Sequence, residues 1–240
     1  MYTKTAKFYD ALYHFKDYAA EAEKLQAFIE QLNPNAKTLL DVACGTGKHL
    51  EYLQNIFQVE GLELSADLLN VARERCPEVS FHLGNMMDFN LGRHFDVITC
   101  LFSSISYVKT IENVEQAIRC MAQHLKPEGI LVIEPWISPE KYWRNKIVAN
   151  FVEEPELKIA WMYKHETEGS VSVSNIHYLV GTPQGVEHFT ERHEMGLFKQ
   201  EQYVQAFEKA GLAVDYDPEG LFGRGMYIAR FKFMFGAGSL

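Results

Sequence analysis

The chain lacks any apolar run of the roughly 18 to 20 residues that a membrane span needs, and its opening stretch, MYTKTAKFYDALYHFKDYAAEAE, holds no apolar signal core. Both absences predict a cytoplasmic protein with no membrane partner. Cysteine is scarce: Cys44, Cys76, Cys100 and Cys120 stand far apart without C-x-x-C spacing, so neither a zinc site nor a disulfide framework is expected. Three of them, Cys44 apart, read as buried small apolar residues or helix-surface thiols. Runs of lysine and arginine are missing too. With 23 Lys and Arg against 32 Asp and Glu, the net charge is −9, which argues against nucleic acid and leaves a small molecule as the expected partner. Internal repeats and low-complexity segments are also absent.

What is present is an ordinary globular composition, 47% hydrophobic over 240 residues, enough for a full core without staples. Asp17 is placed to cap a helix whose Leu25, Phe28, Ile29 and Leu32 repeat at helical steps, ending near Asn33 and Pro34. Strand-like and helical runs then alternate: Thr38 to Ala43, a helix from Lys48, Gln58 to Leu64, a helix from Ala66 capped by Ser65, Ser80 to Leu83, Phe95 to Phe102, a helix from Ile111 to Leu125, and Gly129 to Trp136. Lys126-Pro127-Glu128-Gly129 reads as the turn between the last two. That order is the pattern of a parallel sheet covered by helices, an α/β fold.

From about Ile137 the texture changes to alternation, in LKIAWMYKHE, VSVSNIHYLV and GVEHFTERHEMGLF, which predicts antiparallel strands inserted into the α/β pattern. A helix around Tyr203 to Ala210 and two further strands, LAVDYD and GMYIARFKFMF, close the chain. The expected division is a core of residues 1–136 and 199–240 with an antiparallel lid at 137–198, since long insertions often cover active sites. His165, His177 and His193 fall on the insertion at spacings that match no metal motif, so no metal is expected.

The break in TLLDVACGTGKHLEYL sits at the carboxyl end of the first parallel strand, where open α/β sheets bind ligands. Four readings compete. A Walker A loop would need a glycine where Val42 stands and a hydroxyl where His49 stands; a dinucleotide fingerprint would need a third glycine where Leu50 stands. A nucleophilic Cys44 lacks an identifiable base, and a bare strand-to-helix turn is the fourth reading. Companions at fixed distances favour none of these four: Asp41 precedes the turn, Glu63 ends the second strand where an acid can accept two ribose hydroxyls, and Gly84-Asn85-Met86-Met87-Asp88 follows the third. Together they describe a nucleoside pocket without a pyrophosphate cradle. Glu134-Pro135-Trp136 ends the fifth strand, with a carboxylate expected to face the crevice and an indole able to stack on a sugar or base.

The ordered series LLDVACGTG, HLE, GLELSADLL, LGNMMDFNLGRHF, LFSSISY, EPWISPE and FGRGMY resembles the class I S-adenosylmethionine-dependent methyltransferases. Within them it is similar to the nucleotide-linked amino-sugar N,N-dimethyltransferases of macrolide deoxysugar pathways. The resemblance implies a Rossmann-like, seven-stranded, mostly parallel sheet, S-adenosyl-L-methionine as cofactor and S-adenosyl-L-homocysteine as product. It places Asp41, Ala43 and Gly45 at the methionine portion, Glu63 at the ribose, Asn85 and Met86 at the adenine, and Leu101 in apolar contact with the cofactor. Tyr13 and Tyr107 become orienting partners of the acceptor, and Glu134, Trp136, Lys164, His165 and Arg224 its binding groups, with Arg224 at the nucleotide diphosphate.

The implied reaction is N-methylation of a small amine, with the amino group of a TDP-linked amino-deoxysugar as leading acceptor. Methylation of N, O or C on another small metabolite, or a non-catalytic module that only binds the cofactor, are the alternatives. The chain is compatible with a monomer or a homodimer.

Overall fold

The computed structural model describes residues 4–232. Five parallel strands form first: β1 (Thr38–Val42), β2 (Gln58–Glu63), β3 (Ser80–Leu83), β4 (Phe95–Cys100) and β5 (Leu125–Ile133). Two late strands, β11 (Leu212–Asp217) and β12 (Met226–Phe231), complete a seven-stranded sheet in the order β11-β12-β5-β4-β1-β2-β3, with β12 antiparallel to both neighbours. Phe233, Met234 and Phe235 of the expected final strand lie outside the described residues.

Both faces of this sheet are covered, which is why its central strands read as unbroken apolar runs. Leu39, Val97 and Val132 point to one side, against Leu25 and Ile29 of α2 (Tyr18–Leu32) and Leu50 and Leu53 of α3 (Lys48–Leu53). Leu40, Ile98 and Leu131 point to the other, against Val114, Ile118 and Met121 of α5 (Ile111–Gln123) and Phe207 of α6 (Gln200–Lys209). The caps are those expected: the Asp17 carboxylate accepts the Ala20 N–H at 3.0 Å, and the Ser65 hydroxyl accepts the Leu68 N–H at the start of α4 (Ala66–Arg75).

One boundary differs. Lys126-Pro127-Glu128-Gly129 belongs to β5 rather than to a turn before it, because Phe95 pairs with Leu125 and Val97 with Ile130. The extra residues bulge out of the ladder, and the turn chemistry of Pro and Gly is spent inside the strand.

The insertion is a second, five-stranded sheet: β6 (Ile147–Glu154), β7 (Leu157–Lys164), β8 (Glu166–Glu168), β9 (Val171–Thr182) and β10 (Gly185–Gly196), paired antiparallel in the order β10-β9-β7-β6 with β8 on β9. Its inner face buries Val152, Ile159, Trp161, Ile176 and Tyr178 against Leu12 of the short helix α1 (Tyr9–Leu12). The segment carrying α1 is tied at both ends. Glu191 of β10 accepts the Lys4 N–H at 2.9 Å and the Thr5 hydroxyl at 2.5 Å, while Asp10 accepts the Thr46 hydroxyl at 2.7 Å and pairs with Arg75 of α4.

Candidate active site

At the end of β1 the chain turns through Ala43 at φ 59°, Gly45 at 58° and Gly47 at 74° before α3 begins. A Cβ placed on Gly45 meets nothing within 4 Å. It would project into open space at the floor of a cavity of about 740 Å³ lined by Ala43, Gly45 and Glu63. The loop therefore keeps side chains out of that cavity. It holds no thiolate: burial pushes the Cys44 thiol well above its ordinary range, so the nucleophile reading fails. Lys48 pairs with Glu51 at 3.3 Å on the first turn of α3.

Glu63 is fixed by backbone donors. Its two oxygens accept one N–H each, Gly45 to Oε2 at 3.0 Å and Ser65 to Oε1 at 2.8 Å, and it lines the cavity. Burial pushes the carboxyl up while these N–H groups pull it down. A carboxylate has about four acceptor positions. Acceptor positions therefore remain for a ribose diol, and with the empty space over Gly45 and the thioether of Met86 in the same lining the site fits S-adenosylmethionine.

Not every expected residue reaches the cavity. Tyr13, Ala43, Gly45, Glu63, Met86, Tyr107, Trp136, His165 and Arg224 line it; Asp41, Asn85, Leu101, Glu134 and Lys164 are outside its lining. The Asn85 carbonyl oxygen accepts the Met87 N–H at 3.1 Å and so shapes the turn that presents Met86. Leu101 is buried among Leu50 and Val132. Lys164 is exposed and pairs with Glu166 at 3.4 Å, because alternation along β7 sends it to the opposite face from Trp161, Tyr163 and the following His165. Glu134 does not face the crevice: it is 0% exposed and accepts the Phe102 N–H at 2.6 Å.

Asp41 is equally buried, and its Oδ1 accepts the Thr99 hydroxyl at 2.7 Å across the β1–β4 ladder. Burial pushes its carboxyl up to about 6, against the pull of His49 and Thr99. The folded protein thus keeps this proton up to about pH 6, whereas the unfolded chain releases it near pH 4, so stability falls as pH rises between those values. Asp41→Asn keeps an acceptor for Thr99 and removes the buried charge. It is expected to raise unfolding free energy by about 1 to 3 kcal/mol at pH 7 and to leave it unchanged near pH 4, which urea titrations at the two pH values measure.

The acceptor end is aromatic. Tyr13 packs edge-on to Phe102 at 5.2 Å, and Trp161 stacks on Tyr163 at 5.8 Å. The Arg224 guanidinium lies 4.8 Å from the ring centres of both Phe102 and Trp136 and donates to the Ser103 hydroxyl at 3.1 Å. Its flanking Gly225, at φ 82°, must be glycine, since a Cβ there would lie 2.1 Å from the Tyr216 hydroxyl. The Tyr107 hydroxyl meets His193 Nδ1 at 3.0 Å, and the Tyr142 hydroxyl meets His165 Nδ1 at 3.1 Å. Sequence reasoning missed Phe102, Trp161, Tyr163 and His193 as cavity groups; for the last three, the period-two alternation of β7 and β10 carried the signal.

The strand order, the side-chain-free turn and the acid at the tip of β2 define a class I S-adenosylmethionine-dependent methyltransferase. Comparison with known proteins agrees. Residues 39–129 match the family described as Methyltransferase domain. The chain is 42% identical, over 92% of its length and 89% of the relative's, to dTDP-3-amino-3,6-dideoxy-alpha-D-glucopyranose N,N-dimethyltransferase of Streptomyces fradiae. The crystal structure of DesVI from Streptomyces venezuelae superposes with a TM-score of 0.91 at 40% identity, covering 96% of this chain and 99% of that one. Cofactor-bound CalS10, an amino pentose methyltransferase from Micromonospora echinaspora, gives 0.86 at 36% identity, covering 94% and 97%. The chain belongs to the sugar N,N-dimethyltransferase family of these enzymes.

Proposed function

We propose that this enzyme methylates the amino group of a TDP-linked amino-deoxysugar, adding two methyl groups in succession. The observation that carries the reading is one cavity whose lining joins Gly45 and Glu63 with Arg224, Trp136 and Tyr163, in a chain 42% identical to an enzyme named for that reaction. The cofactor, when bound, supplies a methyl group on a sulfonium. The protein's own task is to hold a neutral amine in line with that methyl and exclude water.

In this reading Ala43 and Gly45 leave room for the methionine end, Glu63 takes the ribose and Met86, presented by the turn that Asn85 shapes, frames the adenine. Tyr13 and Tyr107 orient the amine. The sheet within residues 137–198 is the acceptor's lid, with His165 and Trp136, which line the cavity, against the sugar, and the N–H groups of Arg224 left over from Ser103 suit diphosphate oxygens. The reading also makes it a cytoplasmic enzyme of secondary metabolism; among the described residues no helix is long and apolar enough to cross a membrane.

Pure protein, labelled cofactor and a panel of TDP-amino sugars and simple amines test it by mass spectrometry. Doubly methylated TDP-amino sugar is expected. Methylation confined to free amines or phenols would replace the nucleotide sugar with another small metabolite.

A further inference from the structure

Each N-methylation leaves a proton to dispose of. The acceptor nitrogen uses its lone pair to form the N–C bond, the C–S pair stays on sulfur, and the nitrogen becomes a cation with one proton too many. A second methylation requires that proton to leave first. Two histidines line the cavity among the described residues, and their surroundings are opposite. His165 is pulled down by burial and by Lys146, so it resists taking a charge, and its Nδ1 faces Tyr142 rather than a cavity tyrosine. His193 has Tyr107 on one ring nitrogen, at 3.0 Å, and the Glu191 carboxylate on the other side, with Nε2 3.8 Å from Oε2.

We propose that His193 is the proton acceptor of the transfer site, acting through the Tyr107 hydroxyl and held in position by Glu191. This rests on the amine reading above. The excess N–H proton passes to the Tyr107 oxygen while the Tyr107 hydroxyl proton passes to His193 Nδ1, so tyrosine ends as it began and the imidazole carries the charge. The nitrogen regains its lone pair for the second transfer. The proton leaves His193 to solvent when the spent cofactor departs and water re-enters.

The neighbours fit that role. A carboxylate beside Nε2 keeps the neutral ring's proton on that nitrogen, leaves Nδ1 as acceptor and stabilises the imidazolium. Glu191 stays ionised: burial pushes it up, but His193, Thr5 and the Lys4 and Thr5 N–H groups hold it down at about 2. From β9, Ser174 pairs with His193 in register, and Tyr178, itself raised by burial, lies within electrostatic range of Glu191 and Tyr107, as Tyr9 of α1 does of Tyr107. His193 and Tyr107 face each other with ring centres 6.2 Å apart. Among the described residues the cation in the cavity lining is Arg224, which takes no proton; Lys16 lies outside the lining, paired with Glu21 at 2.8 Å.

The test is the partition of product between monomethyl and dimethyl sugar. His193→Gln keeps a polar side chain that binds no proton. It is expected to accumulate monomethyl product near neutral pH, the second transfer slowing about 10- to 100-fold, with the deficit closing above about pH 9 as solvent deprotonates the amine. Tyr107→Phe is expected to give the same partition, and the double variant to be no worse than either single one, since both lie on one path. Should His193→Gln fail to fold by circular dichroism, Tyr107→Phe and its pH profile decide alone. A wild-type enzyme that dimethylates while these variants keep its partition and pH profile, or lose both transfers equally at every pH, overturns the relay. A wild-type enzyme that methylates no amine overturns the parent reading and the relay together.

Discussion

Glu63→Ala is expected to weaken cofactor binding about 5- to 150-fold, corresponding to about 1 to 3 kcal/mol, the scale of hydrogen bonds to a charged group. Isothermal titration with S-adenosylmethionine measures it. The argument is geometric: Gly45 and Ser65 hold the carboxylate with one N–H on each oxygen, so its free acceptor positions are fixed before any ligand arrives. For the same reason Glu63→Gln is expected to be no milder than alanine. An amide NH2 group in place of either oxygen would meet a backbone N–H head on, and the turn at Gly45 would have to move. Affinity unchanged by either substitution would remove Glu63 from the ribose site.

Glu134→Ala is expected to lower unfolding free energy by about 3 to 5 kcal/mol, the cost of breaking a buried charge network on one side. Domains of this kind hold about 5 to 15 kcal/mol in all. Glu134 is 0% exposed, and burial pushes its carboxyl up against the opposing pull of Lys16, the Phe102 N–H and Arg224. Without it Arg224 and Lys16 lose a counter-charge, Lys16 keeping Glu21 at 2.8 Å. Phe102 also loses the acceptor for its N–H while its backbone stays at φ 50°, outside the regions that bulky residues prefer. Glu134→Gln restores the acceptor without the charge and is expected to recover about half the loss; a urea titration of the two variants separates the contributions. An alanine variant as stable as the native protein would show that the buried cations find another partner.

The parallel sheet was legible because each of its strands is an apolar run closed by punctuation, and Asp17 and Ser65 cap the helices they precede. Lys126 to Gly129 misled because turn residues also build bulges, and only the pairing of Phe95 with Leu125 distinguishes the two. Glu63 was legible as a cavity residue because it ends a strand beside a turn rich in N–H donors. Asp41 and Glu134 end strands or follow them in the same way, but their partners, Thr99 and Phe102, are chosen by the neighbouring strand and its exit loop, which no local pattern displays. Lys164 and His165 could not both face the cavity, since adjacent strand residues point apart; the alternation was present in the sequence and the choice between its two faces was not. His193 meets Tyr107 across 86 positions of chain, a distance only the folded lid closes.

The segment that runs from Thr5 to Phe15 belongs to neither sheet, yet Glu191 fastens it to one and Thr46 with Arg75 to the other. In mechanical terms it is a crossbeam. Gly45 and Glu63 hang from the parallel sheet and Trp161, Tyr163 and His193 from the antiparallel one, and all five line one cavity; on the proposed reading the line along which nitrogen, carbon and sulfur must meet runs between them. On that reading the alignment that methyl transfer demands is carried in part by a short piece of chain far from the glycine turn in its chemistry, whose joint at Glu191 stays charged down to about pH 2 and so does not slacken in mild acid.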